Sequence, residues 1–412
     1  MTNTAATGFV PTAATSAGQV GERKFDVSSE VMLLAPFNYP MIGLLTNIGK
    51  VSDGVGGYKG YSKKKRAVKD PVFYVFEDAY GTTYELLADG PAIADTTITV
   101  ADAYIYAEQD IILLVDPAGA IENEQILITA ITDSTTITIT RGFDEDNAGT
   151  GLGFNGGACQ MFLLGSANAE GATSRTPVNT TKTKVYNYTQ IFRTPFEVTG
   201  TLNSTEMHTG NQLQYQRFKQ GVEHALDIER SFWFGKKQED TTGATPIRAT
   251  GGLIEFIEAT GSGAFEQDES SSVLTETEFN TFLEGGFGYG STEKLLFSSG
   301  RILSQIADFA RGAVRIAPKD RTFGVKIQQY ESPHGSVNIV RNPLFVNNFA
   351  GTAALVDLDS VEYVHLNGRD TTLRENIQAN DKDSIKHEFF SEVGLGRYNA
   401  QKCAILKGVS AS

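Results

Sequence analysis

A chain of 412 residues is too long for one average domain and implies two or three packed units; its 40% apolar and 10% aromatic content can fill their cores. The net charge of −14 excludes a surface built chiefly to grip nucleic acid, which needs clustered Lys and Arg, though not a shell that merely encloses it. Two distant cysteines, Cys159 and Cys403, with no CxxC pair, exclude a zinc ribbon and a thioredoxin-like motif and read as buried reduced thiols.

The first residues have neither the basic nor the apolar stretch of a signal peptide, and no run approaches 18 apolar residues. A cytosolic product with no membrane partner is therefore expected. Residues 1–30, rich in Ala, Thr, Gly and Ser, read as a disordered tail or as an arm that orders only against a neighbouring molecule. Fully extended, such an arm reaches on the order of 100 Å. Residues 36–48 predict a short helix. A Gly-rich stretch then leads to Lys59, Lys63, Lys64, Lys65, Arg66 and Lys69, faced only by Asp70. Without interleaved aromatics the cluster is a poor nucleic-acid site. It fits better a charged loop pairing with an acidic surface of a neighbour.

After the strand at 72–78 the composition changes abruptly. From Glu85 to Gly165 there are 13 acids and one base, Arg141, which marks a separate unit. Thr/Ile/Val runs at 96–100, 110–115, 124–131 and 135–143, divided by turn residues, predict a small β barrel or sandwich. Asp144 to Gly149 resembles an EF-hand loop only faintly: the fifth position is Ala148, the distal Glu is replaced by Asn155, and the flanks are strands. Residues 166–186 are polar and low in core formers, and 186–201 alternate like a strand. Long polar segments without a core of their own suggest a strap completed by another chain.

Asn211 to Phe234 is the best helix, with Phe218, Val222, Ala225 and Phe232 on one stripe and Gly235 as its stop. Glu229 interrupts the stripe; it either sits at the edge in solvent or forms an ion pair with a neighbour. Thr275 and Glu278 fit a capping box opening a helix that buries Phe279, Phe282 and Leu283 and ends at Gly285–Gly286. Ser298 or Ser299 caps another, with Ile302, Ile306 and Phe309 inward and Gly312 at its end. Strands alternating with these helices to the C-terminus give an α+β region.

Signals for chemistry are sparse. In GGFGYGSTEK (285–294) the lysine comes too late for a Walker loop and the order is helix then strand, so helix-ending glycines explain it. His387-Glu388 begins like a zincin without the second histidine, and the period there is 2. His208, His224, His334, His365 and His387 show no ligand spacing, and no GxSxG elbow occurs. No catalytic residue, cofactor-binding residue, cofactor or metal ligand is assigned, and the chain is not expected to be an enzyme. A carboxylate enzyme is not excluded by motif alone.

TPFEVTGT followed by the helix ending DIERSFWFG, then FLEGGFGYGSTEKLLFSSGRILSQIADF, GSVNIVRNPLFVNNFAGTAALVDLDSVEYVHL and EFFSEVGLGRYNAQKCAIL, resemble in order and spacing the major capsid proteins of tailed phages with the Hong Kong 97-type fold. ENEQILITAITDSTTITITRGF resembles the β-rich insertion that one subfamily carries in its extended loop. The resemblance covers about residues 36–408. It implies an α+β, Hong Kong 97-like fold plus an inserted all-β domain. An N-terminal arm and short helix would occupy 1–50 and the extended loop 51–87 and 164–195. The acidic insertion would occupy 88–163 and a peripheral domain 196–274, with its spine helix at 211–234. An axial domain would occupy 275–375, and returning strands 376–412. It implies self-assembly into hexamers and pentamers of an icosahedral virion shell, put together in the host cytoplasm, that encloses DNA without sequence-specific binding. Portal, scaffold, protease or decoration proteins are further partners by the same resemblance. Lys63, Lys64, Lys65, Arg66 and Glu229 are the expected inter-subunit contacts, although the basic cluster matches no family feature. The competing readings are a tail-tube or head-decoration protein and a β-rich hydrolase.

Overall fold

The computed structural model describes residues 40–47, 65–80, 84–87, 90–116, 123–146, 152–154, 159–206, 210–309 and 327–411. They fall into two compact units, Met1–Tyr74 with Tyr186–Ser412, and Val75–Val185. The expected arm at 1–30, Gly312 and residues 147–149 of the EF-like loop lie outside the described residues.

The first unit contains two larger sheets. In one, the spatial order is Lys65–Val68, Val361–Leu366, Ser384–Arg397 and Gln190–Thr199, with Thr372–Arg374 also on the long strand. Gln190–Thr199 runs antiparallel to that strand from Gln190 opposite Val393 to Thr199 opposite Ser384. Alternation places Phe192, Phe196 and Val198 inward, so this segment is half-buried sheet. The second sheet orders Phe265–Asp268, Ala404–Lys407, Ala353–Val356, Glu293–Ser298, Gly335–Arg341 and Ile327–Ser332. Its central strand Glu293–Ser298 is buried at five consecutive positions, as expected for a strand covered on both faces.

Six helices complete the described chain: α1 (Pro40–Asn47), α2 (Gly200–Ser204), α3 (Gln212–Phe234), α4 (Leu253–Ile257), α5 (Glu276–Gly286) and α6 (Gly300–Phe309). Asn211 caps α3 by accepting from the Leu213 and Gln214 amides, and Gly235 ends it. Thr275 and Glu278 form the reciprocal capping box of α5. Ser299 Oγ accepts from Ile302 N at the start of α6. Phe279, Phe282 and Leu283 from α5 and Ile302 and Ile306 from α6 form one core with Leu296, Val337, Ile339, Leu355 and Leu406.

The second unit is built on a six-stranded antiparallel sheet, ordered Tyr84–Leu87, Cys159–Ser166, Asp110–Val115, Glu124–Ile131, Thr136–Thr140 and Thr97–Thr99, and the two-stranded sheet of Val72–Glu77 with Thr183–Tyr188 runs into it. Ile98, Ile112, Leu114, Ile126, Ile128, Ile137, Ile139 and Met161 make its core. The four Thr/Ile/Val runs are therefore strands. They form neither two packed sheets nor, among the described residues, a closed barrel.

Several expectations need correction. The interval 88–163 is too narrow for the acidic unit, because Tyr84–Leu87 pairs with Cys159–Ser166, which itself runs past 163. The loop interval 164–195 extends too far, since Gln190 to Pro195 pair with the long strand of the first unit. Lys65–Val68, placed in the loop, pairs in parallel with Val361–Leu366 of that unit. The interval 275–375 is crossed by both sheets, since Val361–Leu366 joins the sheet of Gln190–Thr199, whereas the strands of 376–412 return to both sheets, Ser384–Arg397 to that one and Ala404–Lys407 to that of Glu293–Ser298. Phe218 is 63% exposed, not inward. The buried residues of α3 begin only at His224, so its first three turns bury no side chain fully.

Candidate functional site

Among the described residues no group of three or more His, Cys, Asp or Glu could hold a metal. One pair does resemble hydrolase machinery, and the sequence hid it. His224 on α3 and Ser391 on the long strand approach with Nε2 and Oγ 2.6 Å apart, while His224 Nδ1 lies 2.8 Å from Thr194 Oγ1. Ser391 in turn donates to Thr371 Oγ1. A serine and a histidine this close satisfy the first geometric test for a nucleophile and its base. Ser391 is 0% exposed and His224 2%, however, and the third member is a hydroxyl without charge. Phe192 and Phe389 face the imidazole ring, and burial holds its pKa below the ordinary histidine range. The pair is a core hydrogen-bond chain tying α3 to its sheet. Neither residue lines the cleft at Tyr80, Ile105 and Val178 or the one at Phe234, Ile254, Glu258 and Phe349.

The glycine-rich loop resolves in the same direction. Gly285 and Gly286 end α5. A Cβ on Gly286 would meet Leu355 Cδ2 at 2.6 Å, so the helix packs on the strand at a distance that favours glycine unless Leu355 shifts. Lys294 Nζ is buried and donates to the carbonyls of Gly286 at 2.6 Å, Tyr289 at 2.7 Å and Lys402 at 2.7 Å. Its three protons are spent on two carbonyls at and just beyond the end of α5 and on that of Lys402, leaving none for a phosphate. Burial lowers its pKa, with Cys403 and Asp357 opposing.

Lys63 and Lys64 lie outside the described residues. Lys65 pairs with Asp370 and sits 5.3 Å from the Tyr363 ring centroid. Arg66 donates from Nε to Glu362 at 3.0 Å and from Nη2 to Tyr398 Oη at 3.2 Å. Both side chains thus clamp their own short strand to Val361–Leu366. Within one copy their partners lie at residues 362–398, which no local pattern around residue 65 could announce.

Glu229 also departs from expectation. It is 0% exposed, so it is neither at a solvent edge nor open to a neighbour. Its carboxylate accepts from Met41 N at 3.0 Å, Ile42 N at 2.8 Å and Trp233 Nε1 at 3.0 Å. Burial pushes its pKa up to about 7 against these three hydrogen bonds. The acidic unit holds a contrasting carboxylate. Glu124, also 0% exposed, accepts from Arg141 Nε and Nη2 at 2.7 Å each and from the Gly142 and Leu152 amides at 2.9 and 2.8 Å. Burial alone would raise it, but these bonds outweigh burial and hold it below the usual carboxylate range.

A cationic cluster that sequence reading missed surrounds the buried ring of Phe390. The guanidinium carbons of Arg374, Arg369 and Arg193 lie 3.7, 4.6 and 5.9 Å from its centroid, with Glu388 and Glu392 as their carboxylate partners. Strand register brings them together, Arg193 lying directly opposite Phe390. Nothing in the local sequence links positions so far apart.

No reaction centre emerges from these groups: each charged or nucleophilic side chain is engaged in holding elements of its own unit. What is similar to this chain then carries the reading. The sequence model of the SU10 major capsid protein family matches residues 4–410. The chain belongs to that family. A "Major capsid protein" of Pseudomonas phage PaMx41 is 21% identical over 274 residues, covering 61% of this chain and 66% of its own length, just under two thirds. Among solved structures, a cyanophage A-1(L) capsid chain is 11% identical with a TM-score of 0.48, covering 93% of this chain and 97% of that one. A capsid chain of a native GTA particle is 10% identical with a TM-score of 0.47, covering 97% and 99%. For a member of this family, charged side chains that lock elements together are what a building block requires.

Proposed function

We propose that this protein is a phage major capsid protein that self-assembles into the icosahedral shell enclosing the genome. The match of the family model to residues 4–410 carries the reading. Within it, the first unit is a Hong Kong 97-type body with α3 as the spine helix of its peripheral domain. The sheet of Glu293–Ser298 belongs to the axial domain that meets its fellows in hexamers and pentamers. The unit Val75–Val185 is an all-β domain inserted in the extended loop. Its sheet topology supports this, as does the fact that the chain leaves and re-enters the first unit at Tyr74 and Tyr186. Its acid excess would sit well on a solvated outer surface.

Assembly energy comes from apolar surface buried between copies, with closed symmetry preventing open-ended growth. Lys63, Lys64 and the partly exposed Lys65 and Arg66 remain the proposed contacts to a neighbour. Lys65 and Arg66 contribute by fixing the strand from which that segment departs. DNA is enclosed without sequence-specific contacts, and portal, scaffold, protease or decoration proteins are further candidate partners.

The experiment is electron microscopy of the chain expressed alone and together with its neighbouring genes. Closed shells of uniform diameter are expected from at least one of the two. Tubes would favour a tail protein, and monodisperse monomers from both would overturn the proposal.

A further inference from the structure

The sheet of the acidic unit has an outer face that divides into two halves. Its inward positions make the isoleucine-rich core, and alternation sends the residues between them to the opposite face. On Thr97–Thr99 and Thr136–Thr140 those outward residues are threonines. On the neighbouring strands they are apolar. Tyr84 lies opposite Phe162, with ring centroids 6.1 Å apart, and Phe162 lies opposite Leu113. Leu127 faces the same way, between the buried Ile126 and Ile128. Leu86 alternates with the buried Leu87, and Leu163 packs on the core, which turns Leu164 outward. None of these six side chains carries a charge, and Tyr84, Leu86 and Leu164 are 58%, 59% and 54% exposed. A contiguous apolar patch left in water marks an interaction surface.

A second open face lies on the first unit. There α3 covers one side of the sheet that holds Gln190–Thr199 and Ser384–Arg397, with His224 set against Phe192 and Phe389. The other side carries Phe390 with Arg193, Arg369 and Arg374 around its ring, and the half-exposed Ile191. All three arginine side chains keep between 40% and 57% of their surface exposed. Beneath them the buried Glu388 and Glu392 balance two of the three positive charges. One positive charge is left over. Among the described contacts each guanidinium gives one nitrogen to these carboxylates, which leaves most of its N–H donors pointing elsewhere.

We propose that the arginine face of one copy receives the apolar half of the acidic unit's outer sheet face from a second copy. Charge selects this pairing. Residues 85–165 hold 13 acids against one base, so two acidic units set face to face repel, whereas a face with surplus positive charge attracts them. The contact chemistry agrees. Guanidinium planes stack on aromatic rings as well as they pair with carboxylates, and these arginines already do both, on Phe390 and with Glu388 and Glu392. Tyr84 and Phe162 offer them further rings, and Ile191 meets the leucines. Because the two surfaces differ, the contact is heterologous and closes only where copies return in a ring. The inference rests on the self-assembly reading and names the surfaces that meet.

The test is photo-crosslinking in particles assembled from the full chain. Benzoylphenylalanine is placed at Leu164 on the apolar half or, for comparison, at the exposed Thr140 on the threonine half. From Leu164 the expected product is a covalent dimer linked to a peptide within 190–199, 369–374 or 384–397; from Thr140 none is expected. Arg374→Glu should cut that product about tenfold. Should that variant fail to fold, Leu86→Lys, at an exposed position of the other surface, should cut it by a similar factor. Shells whose dimers are linked elsewhere, links confined to a single chain, or equal dimer from Thr140 would overturn the contact and leave the shell standing. Benzoylphenylalanine at Ile191 that links to DNA and not to a second chain would assign the arginine face to nucleic acid and overturn it too. Absence of any shell would remove the self-assembly reading and this contact with it.

Discussion

Glu124 and Glu229 are both 0% exposed, one in each compact unit, and their environments could hardly differ more. Glu124 is met by a guanidinium and two amides, all within 28 residues of it in sequence, and is held below the usual carboxylate range. Glu229 is met by neutral donors, two of them from the far end of the chain, and is pushed up to about 7. The acidic unit thus settles its buried charge locally and permanently. The body leaves its own with neutral donors alone among the described contacts. A buried carboxylate with a cation is held ionised by it; one met only by neutral donors, two α1 amides and an indole, is left to the opposing pull of burial.

The comparison is broken most severely by Arg141→Met, which turns Glu124 into a second cationless site inside the unit's core. The expected loss is about 3–5 kcal/mol in the unfolding of Val75–Val185, read by chemical denaturation of the full chain. A loss under about 1 kcal/mol would mean the two amides suffice and the contrast with Glu229 is illusory.

His224 sharpens the contrast from within α3. Its imidazole is depressed by burial, so its contribution to stability is present above the ordinary histidine range and is lost as pH falls below about 6.5. Melting curves of the wild type should drop in that window, whereas His224→Gln should show a reduced slope there. Glu229 loses its contribution in the other direction, as pH rises. Two groups five residues apart therefore bracket neutrality, and a single monotonic pH profile for α3 and its contacts would contradict this.

The smallest effect is expected at Lys65→Ala. The pair with Asp370 is about one-third exposed, and such ion pairs contribute ~0–1 kcal/mol and weaken with salt. A larger loss, insensitive to salt, would mean that the strand Lys65–Val68 is held far more by this clamp than by its ladder to Val361–Leu366.

What could be read from the sequence was local. The limits of α3 follow from Asn211 and Gly235 at its two ends and the capping box of α5 from Thr275 and Glu278 within one turn, and the structure reproduces both. The strands of the acidic unit follow from Thr/Ile alternation. Its first strand, Tyr84–Leu87, was assigned elsewhere because it is short and its sheet partner lies over 70 residues on. Phe218 was placed inward because the helical period says which residues share a face, not where along the helix the neighbouring sheet ends. Glu229, the His224–Ser391 pair and the arginines around Phe390 were beyond reach for one reason: each depends on a partner brought in by tertiary register.

The central claim is that this chain builds a closed shell in which parts of each copy find their core on another. An icosahedral reconstruction of the assembled particle tests it most directly. The account predicts fivefold and sixfold clusters of the chain, with density for the N-terminal segment and for the basic segment around Lys63 and Lys64 lying on an adjacent copy. Particles in which both segments pack only on the body of their own chain would contradict it.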